Sequence, residues 1–520
     1  MPTNPASYNL NFIARNALNR YGFLSEMSQR AVNEAKAMHP DFWPHLEPGV
    51  KDLTELLWSS IDNDDSRDLD QVEYCEVRPD GRVHVMIAIA DVDHYVRQGT
   101  YSDAHAIKNA VTVYTGVEIF PMLPERLCND LTSLIPGEDR LAVVMDFLVN
   151  SEGEVKSGEV YRAVIRNHAK LIYEIVGDWF EGRTPLPESV EAVPGLEDQL
   201  LLQDKVAQAI KEARRRNGAL EFDSIETKPV FKEKQVIEIA LRHRNRAHQL
   251  IENFMIAANG VMVNFLRSKN SPVIQRVVKT PERWERIVEI AIEMGDSLPN
   301  RPKAKALSDF LERQRKRDPE RFPDLSLAVI KLLGQGEYDV VFPGKKGDGH
   351  FGLAVSDYTH STAPNRRYID LVVQRLLKAA LNKARDPYSR AELSHIAGWC
   401  TDRDQFAKKV ERFMRKVAAA MMLLDRVGDS FEGIVTGASE KGTYVRLIDP
   451  PAEGRVVRRF EGMDVGDKVI VRLIKLSPER GYVDFEGSGE AQAPKPSPDA
   501  YPHKKYRQRQ RQRPRKNRRK

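Results

Sequence analysis

Ile61-Asp-Asn-Asp-Asp-Ser-Arg-Asp-Leu-Asp70-Gln71 sets five carboxylates within nine residues, and the segment beyond it, Val83-His-Val-Met-Ile-Ala-Ile-Ala90, reads as a buried strand. Carboxylates this close repel one another unless a cation neutralises them, and hard oxygen donors favour magnesium, manganese or calcium. Two other readings compete. An Asp-rich turn on its own is usually a solvated loop. A helix-loop-helix calcium site would count from Asp62, with Asp64, Ser66, Asp68, Asp70 and Glu73 at ligand positions. Arg67, however, stands where that loop needs glycine, and the downstream flank is strand instead of helix. The stretch therefore predicts an acidic loop beside a β-rich segment, with Asp62, Asp68 and Asp70 as candidate ligands of a divalent cation.

At 520 residues the chain is too long for one core, and the length points to three or four units of roughly 150 residues each. A hydrophobic content of 41% and a charged content of 30% describe a soluble globular protein. No apolar run reaches the ~18 residues a membrane span needs, and the N-terminus has no signal pattern, so a cytoplasmic protein without membrane contact is expected. Cys75, Cys128 and Cys400 are far apart and lack CxxC spacing, which supports neither a disulfide framework nor a zinc cluster.

The formal charge of +5 hides an asymmetry. Residues 501–520 hold eleven Lys and Arg and no acid, so the rest of the chain carries −6. A tract such as Arg507-Gln-Arg-Gln-Arg-Gln-Arg513 has too little apolar surface to fold and suits counterion release from nucleic-acid phosphates. A solubilising tail is the plainer alternative.

Composition divides the chain further. Residues 1–55 read as a helical segment broken by Pro40 and Pro44, and 56–150 as strands and turns, with Ser151-Glu-Gly153 as a hairpin turn. Helices then dominate: one over 199–217 closes at Gly218, one over 244–267 is apolar on several faces, and another is expected over about 404–425. Ile369, Val372, Val373, Leu376, Leu377 and Ala380 form a helical stripe. After Gly428 the pattern changes to short alternating strands, 431–437, 442–447 and 468–474, punctuated by glycine as in a small barrel of OB type. From about 488 onward a disordered linker and basic tail is expected.

A second motif, His360-Ser-Thr-Ala-Pro-Asn-Arg-Arg-Tyr368, leads into that helical stripe. An arginine at a helix start joins a guanidinium to backbone N–H groups, a combination that grips phosphate. Taken alone, Arg366 and Arg367 could simply solvate the helix start. Together with a metal-type acidic loop they point to phosphodiester chemistry.

With both motifs in view, the sequence resembles the RNB family, the ribonuclease II and ribonuclease R exoribonucleases. The resemblance runs over roughly 56–425 and into the OB module. It rests on Asp62, Asp68 and Asp70, on Ala88-Ile-Ala-Asp-Val-Asp-His-Tyr95, and on Tyr114 seven residues before Pro121-Met-Leu-Pro124. Leu127-Cys-Asn-Asp-Leu-Thr-Ser-Leu134, Glu252-Asn-Phe-Met-Ile-Ala-Ala-Asn259, His350 to Ala354 and Thr362 to Tyr368 follow in order. It implies an α+β fold: an RNB catalytic domain over 56–427, with a mixed, barrel-like sheet among helices, then an OB-fold RNA-binding domain over 428–487 and a disordered basic tail over 488–520. It also implies a magnesium-dependent 3′-to-5′ exoribonuclease that hydrolyses single-stranded RNA to nucleoside 5′-monophosphates, with manganese as the alternative ion and a monomer expected. Asp70 and Arg366 would be catalytic, and Asp62, Asp68, Asp70 and Gln71 would face the metal. RNA would touch Tyr114, Phe222, Glu252, Arg367 and Tyr368, with Tyr114 stacking on a terminal base and Phe222 as its opposite wall. Core packing competes for both aromatics.

The chain departs from the family in places. The family's adjacent Asp-Asp pair is here Asp70-Gln71, and a glutamine offers an oxygen but no charge, so Asp64 or Asp65 is a candidate substitute. Ala363 and Asn365 replace Ser and Ile, with Asn365 a possible helix cap, and Gln374 stands where many members have His. Some 55 leading residues leave no room for paired cold-shock domains. The rival from another class is an RNA-binding protein or regulator that has lost hydrolysis through Gln71.

Overall fold

The computed structural model describes residues 8–40, 48–223, 226–232, 235–242, 244–319, 321–439, 442–463 and 467–492. Helices α1 (Leu10–Arg20) and α2 (Gln29–Lys36) lead, followed by strands β1 (Lys51–Asp52), β2 (Trp58–Asp62), β3 (Gln71–Val77) and β4 (Val83–Ala90). Next come α3 (Tyr101–Asn109), the hairpin β5 (Val113–Tyr114) and β6 (Ile119–Phe120), and the long strands β7 (Asp139–Val149) and β8 (Val155–Ile172). The chain continues through α4 (Tyr173–Phe180), α5 (Glu188–Glu191), α6 (Leu196–Arg216), β9 (Glu226–Lys232), β10 (Gln235–Arg242), α7 (Arg246–Ser268) and β11 (Val273–Val277). After α8 (Trp284–Glu293), α9 (Ala304–Arg317), α10 (Phe322–Leu333) and β12 (Glu337–Val341), α11 (Tyr368–Leu381) and α12 (Arg390–Met422) complete the first compact unit.

The main sheet of that unit closes on itself. β8 is 18 residues long, pairing parallel with β1 and β2 and antiparallel with β7, so the order β8-β2-β3-β4-β7 returns to β8. The apolar run of β4 is buried because it is flanked by β3 and β7, and Val85 to Ala90 form the centre of the core. The Ser151-Glu-Gly153 turn joins β7 to β8, and Gly153 is required there: its φ is +78° and an added Cβ would lie 1.9 Å from the Ala209 carbonyl oxygen. Helix α7 packs against β7 and β8 and is buried nearly all round, from Ala247 to Leu266, as its all-face apolarity predicts.

α12 begins at Arg390, well before the expected 404. Ser389 and Glu392 form a capping box, a start signal that lies upstream of the apolar periodicity.

The second unit is a closed five-stranded barrel of β13 (Ser430–Ser439), β14 (Gly442–Leu447), β15 (Glu453–Arg458), β16 (Lys468–Ser477) and β17 (Tyr482–Gln492), in the order β13-β14-β15-β17-β16. Its OB-type architecture follows from alternation: Val469, Val471 and Leu473 point inward and their neighbours outward. β15 and β17 were not among the expected strands, and the backbone of β17 runs to Gln492, past the point where the linker was expected to begin. The basic tail, 501–520, lies outside the described residues. No described helix is long and apolar enough to cross a membrane.

Candidate active site

The acidic loop leaves the sheet at Asp62 and rejoins it at Gln71. Asp62 Oδ1 accepts from the Asn63 backbone N–H at 2.7 Å and from the Ser66 hydroxyl at 2.6 Å, which folds the chain back on itself. Lys170 of β8 donates to the Asp64 and Ser66 carbonyls, each at 2.8 Å. At the other end the Ser133 hydroxyl accepts from the Leu69 N–H at 3.0 Å and donates to the Arg67 carbonyl at 2.6 Å. Tied at both ends, the loop presents Asp68 and Asp70 in fixed positions. Asp64 and Asp65 are exposed on its outer edge.

Asp70 is 1% exposed. Its Oδ1 accepts from the Asn365 backbone N–H at 3.2 Å and its Oδ2 from Arg366 Nε at 3.0 Å. Burial pushes its carboxyl up to about 7, with Arg366 opposing and Asp68 adding. Burial also raises Asp68, against Arg366 and with a contribution from Asp62, so the three aspartates feel one another's charge. The Tyr114 hydroxyl, on β5, lies 3.4 Å from Asp68 Oδ2, and its side chain is large and partly exposed at 39%.

The structure thus brings Asp62, Asp68, Asp70, Tyr114 and Arg366 to one place. It corrects the setting of the arginine: α11 starts at Tyr368, so Arg366 lies in the preceding turn, where the Arg366 and Arg367 N–H groups donate to the Ala363 carbonyl at 3.2 and 3.0 Å. Asn365 is not a cap. Its side chain is buried and accepts from the Thr132 hydroxyl at 2.6 Å, because the turn directs it inward and its backbone N–H toward Asp70.

The expected RNA contacts divide. Arg367 is held by Asp370 through Nε at 2.8 Å and Nη2 at 2.7 Å. Tyr368 is a correction: it is 1% exposed and donates its hydroxyl to Asp103 at 2.9 Å, so its ring serves the core. Glu252 is exposed and paired with Arg244 at 3.0 Å. Phe222 is half-buried against the apolar cluster of Leu220, Trp284, Phe310 and Phe322, which is its packing role. Gln71 is buried at the start of β3, opposite Ile89.

Sequence reasoning missed what fixes α11, the helix that follows the Arg366 turn, to the sheet. Asp91 pairs with Arg162 at 2.8 Å and Lys378 at 2.6 Å, and Asp93 with Arg375 at 3.0 Å and Lys378 at 3.0 Å. Arg375 also reaches Asp103 at 2.8 Å and the Tyr388 hydroxyl at 2.7 Å. Gln374 accepts from the Asp93 N–H at 3.2 Å and donates to the Ala90 carbonyl at 2.7 Å, filling its position with two bonds. Charged residues on the inward face of the Ile369–Ala380 stripe were the available signal, because such side chains are rarely buried without a partner.

Among the described residues no three His, Cys, Asp or Glu side chains converge closely enough to hold a metal ion as they stand. The donor set nevertheless suits one. Its groups are hard carboxylate oxygens, the class that magnesium and manganese take, and mutually repelling acids at one buried place favour a cation.

A family model for the RNB domain matches residues 50–383, and one for the RNase II-type exonuclease C-terminal S1 domain matches 429–487. Ribonuclease R of Escherichia coli strain K12 is 31% identical over 474 residues, covering 84% of this chain and 57% of that protein. Ribonuclease R of Aquifex aeolicus is 30% identical over 506 residues, covering 90% and 69%. A solved structure described as Mycoplasma genitalium RNase R in complex with ribose methylated single-stranded RNA has a TM-score of 0.82 at 23% identity and covers 91% of this chain and 77% of that one, a likeness of fold. The chain spans 50% to 57% of the length of the first curated relatives it matches. A closed sheet that brings an aspartate loop against Asn365-Arg366, matched over 50–383, places the chain in the RNB domain family, with an RNase II-type S1 domain behind it.

Proposed function

We propose that this chain is a divalent-metal-dependent 3′-to-5′ exoribonuclease that hydrolyses single-stranded RNA to nucleoside 5′-monophosphates, acting as a monomer in the cytoplasm. Direction and product follow the family. The observation that carries the reading is the Asp70–Arg366 pair, a buried carboxylate and a guanidinium side chain that is 46% exposed, joined across 296 residues.

Arg366 Nε is committed to Asp70, which orients the guanidinium and leaves its terminal nitrogens for a phosphoryl oxygen on the exposed side. The guanidinium then offsets the charge that builds on the phosphoryl group as the bond breaks. Tyr114 offers a stacking face that tolerates any base, so degradation depends little on sequence. Asp62, Asp68 and Asp70 would hold magnesium or manganese, which when bound activates water and stabilises the leaving 3′ oxygen.

Gln71 favours one other reading, an RNA-binding protein without hydrolysis, because it removes a charge from the metal-facing set. Purified protein with 5′-labelled single-stranded RNA and magnesium separates the two. The expected result is conversion to a residual fragment of a few nucleotides, with circular RNA left intact; an intact, shifted RNA band overturns the enzyme.

A further inference from the structure

Arg366 and Tyr114, which the reading above gives to the phosphate and the terminal base of RNA, are joined through the backbone. Val111 and Arg367 face each other as a single antiparallel pair. Two hydrogen bonds flank that pair: the Thr112 N–H donates to the Arg366 carbonyl at 3.0 Å, and the Tyr368 N–H donates to the Ala110 carbonyl at 2.8 Å. Tyr114 follows two residues after Thr112, at the end of β5. The strand that carries Tyr114 therefore holds the Arg366 backbone, while Asp70 holds the Arg366 side chain.

The segment is fixed from both ends. Ala110 caps α3 in the left-handed conformation, with φ +59° and its N–H on the Ala106 carbonyl. A residue with a Cβ avoids that conformation unless its surroundings impose it, and Ala110 is buried with its carbonyl taken by Tyr368. On the other side the buried Thr112 hydroxyl accepts from the Met122 N–H at 3.0 Å. Met122 lies two residues beyond β6, so this bond closes the base of the hairpin. Thr115 closes the tip: its hydroxyl donates to the Glu118 carbonyl at 2.6 Å and accepts from the Glu118 N–H at 3.1 Å. Thr112 thus joins the arginine's backbone to the hairpin through two of its own atoms, N and Oγ1.

In an exonuclease, the distance from the stacked terminal base to the phosphate being cut sets how many nucleotides leave at each event. With the base on Tyr114 and the phosphate on Arg366, that distance is a property of the protein backbone. A misplacement of about 1 Å is enough to cost on the order of 100-fold in rate.

We propose that Thr112 is a positioning residue that holds the Tyr114 ring in register with Arg366, so that each cut releases a single nucleotide. The inference rests on the exoribonuclease reading above.

Thr112→Val keeps the side-chain shape and removes the acceptor, and Thr112→Ser keeps the acceptor. Each is compared with the full parent chain in single-turnover assays on single-stranded RNA with magnesium, with the released products separated by chromatography. The parent and Thr112→Ser are expected to release mononucleotides only. Thr112→Val is expected to cut roughly 10- to 100-fold more slowly and to release dinucleotides beside mononucleotides. It should also melt at a lower temperature, because the buried Met122 N–H loses its acceptor, but a purely structural role would leave product size unchanged. Thr112→Ala, which adds no buried methyl, repeats the test if the valine variant does not fold.

A second readout needs no hydrolysis. RNA ending in 2-aminopurine at its 3′ end, bound in EDTA, loses fluorescence when the terminal base stacks. Thr112→Val should weaken that quench in the parent and change nothing further in a Tyr114→Ala background, the non-additivity of residues that act through one another. Mononucleotides as the only product of Thr112→Val, or a quench equal to the parent's, overturns the proposal. So does an equal loss of quench in both backgrounds. A parent that leaves RNA intact overturns the nuclease reading, and the quench cycle then decides whether Thr112 holds Tyr114.

Discussion

Arg366 and Asp70 depend on each other. The carboxylate has two donors, the Asn365 N–H and Arg366 Nε, and removing the guanidinium leaves a buried acid with one. Arg366→Ala should lower the rate of RNA cleavage by on the order of 10²- to 10³-fold, as loss of a group that stabilises transition-state charge does. Single-turnover assays at saturating enzyme would check this; an unchanged rate would remove Arg366 from the chemistry. His84 tests a different residue, far from the loop. Its Nε2 lies 2.5 Å from Asp146 Oδ1 and its Nδ1 3.0 Å from Glu76 Oε1. The bond to Asp146 raises its pKa against burial. A raised imidazole contributes stability that is complete below its ordinary value of 6.5 and is lost as pH rises through the higher folded value. The gap in melting temperature between the parent and His84→Gln should therefore narrow as pH rises from about 6 to about 9. A constant gap would show that the imidazole charge contributes nothing.

The hairpin of β5 and β6 sets where Tyr114 stands, and the leading helices hold that hairpin. Glu118, between its strands, accepts from Arg15 Nη2 at 2.7 Å and Asn11 Nδ2 at 3.2 Å, both on α1. Asn109, at the end of α3, donates to the Leu24 carbonyl at 3.1 Å and accepts its N–H at 2.9 Å. Helix α1 and Leu24 are thus tied to the rest of the first unit, with Ala14 and Leu18 of α1 buried. Arg15→Ala should cost under about 1 kcal/mol of stability, because the pair is partly exposed. Its larger effect should be on the residual RNA fragment, which lengthens if Tyr114 is held less firmly. Sequencing gels of end products beside a denaturation curve would show both; an unchanged fragment would mean that α1 does not steer Tyr114.

At the scale of the molecule, the described residues form two compact units, and the sequence of residues 501–520 carries charge of one sign only. Each phosphate contact to single-stranded RNA contributes about 0.7 to the slope of log affinity against log salt. Deleting residues 501–520, with their eleven basic side chains, should weaken RNA binding and flatten that slope. Equal affinity and equal slope in a salt titration would show that the tail does not touch RNA.

Local chemistry was legible in the sequence because neighbours along the chain set it. The acidic loop and the buried β4 run were visible as spacing and apolarity, and the barrel after Gly428 was visible as alternation, although β15 and β17 escaped for want of a clear pattern. Burial and long-range pairing were not legible, because they depend on residues far away in the chain. Tertiary structure placed Arg366 on Asp70 across 296 residues, and it turned Tyr368 into the core to meet Asp103. It also gave Asp91 and Asp93 their cations from α11, while Phe222 went to an apolar cluster. Sequence by itself determined which residue types were available for phosphodiester chemistry. Only the closed sheet decided which of them meet, since a carboxylate's partners and its proton affinity depend on what folding packs against it.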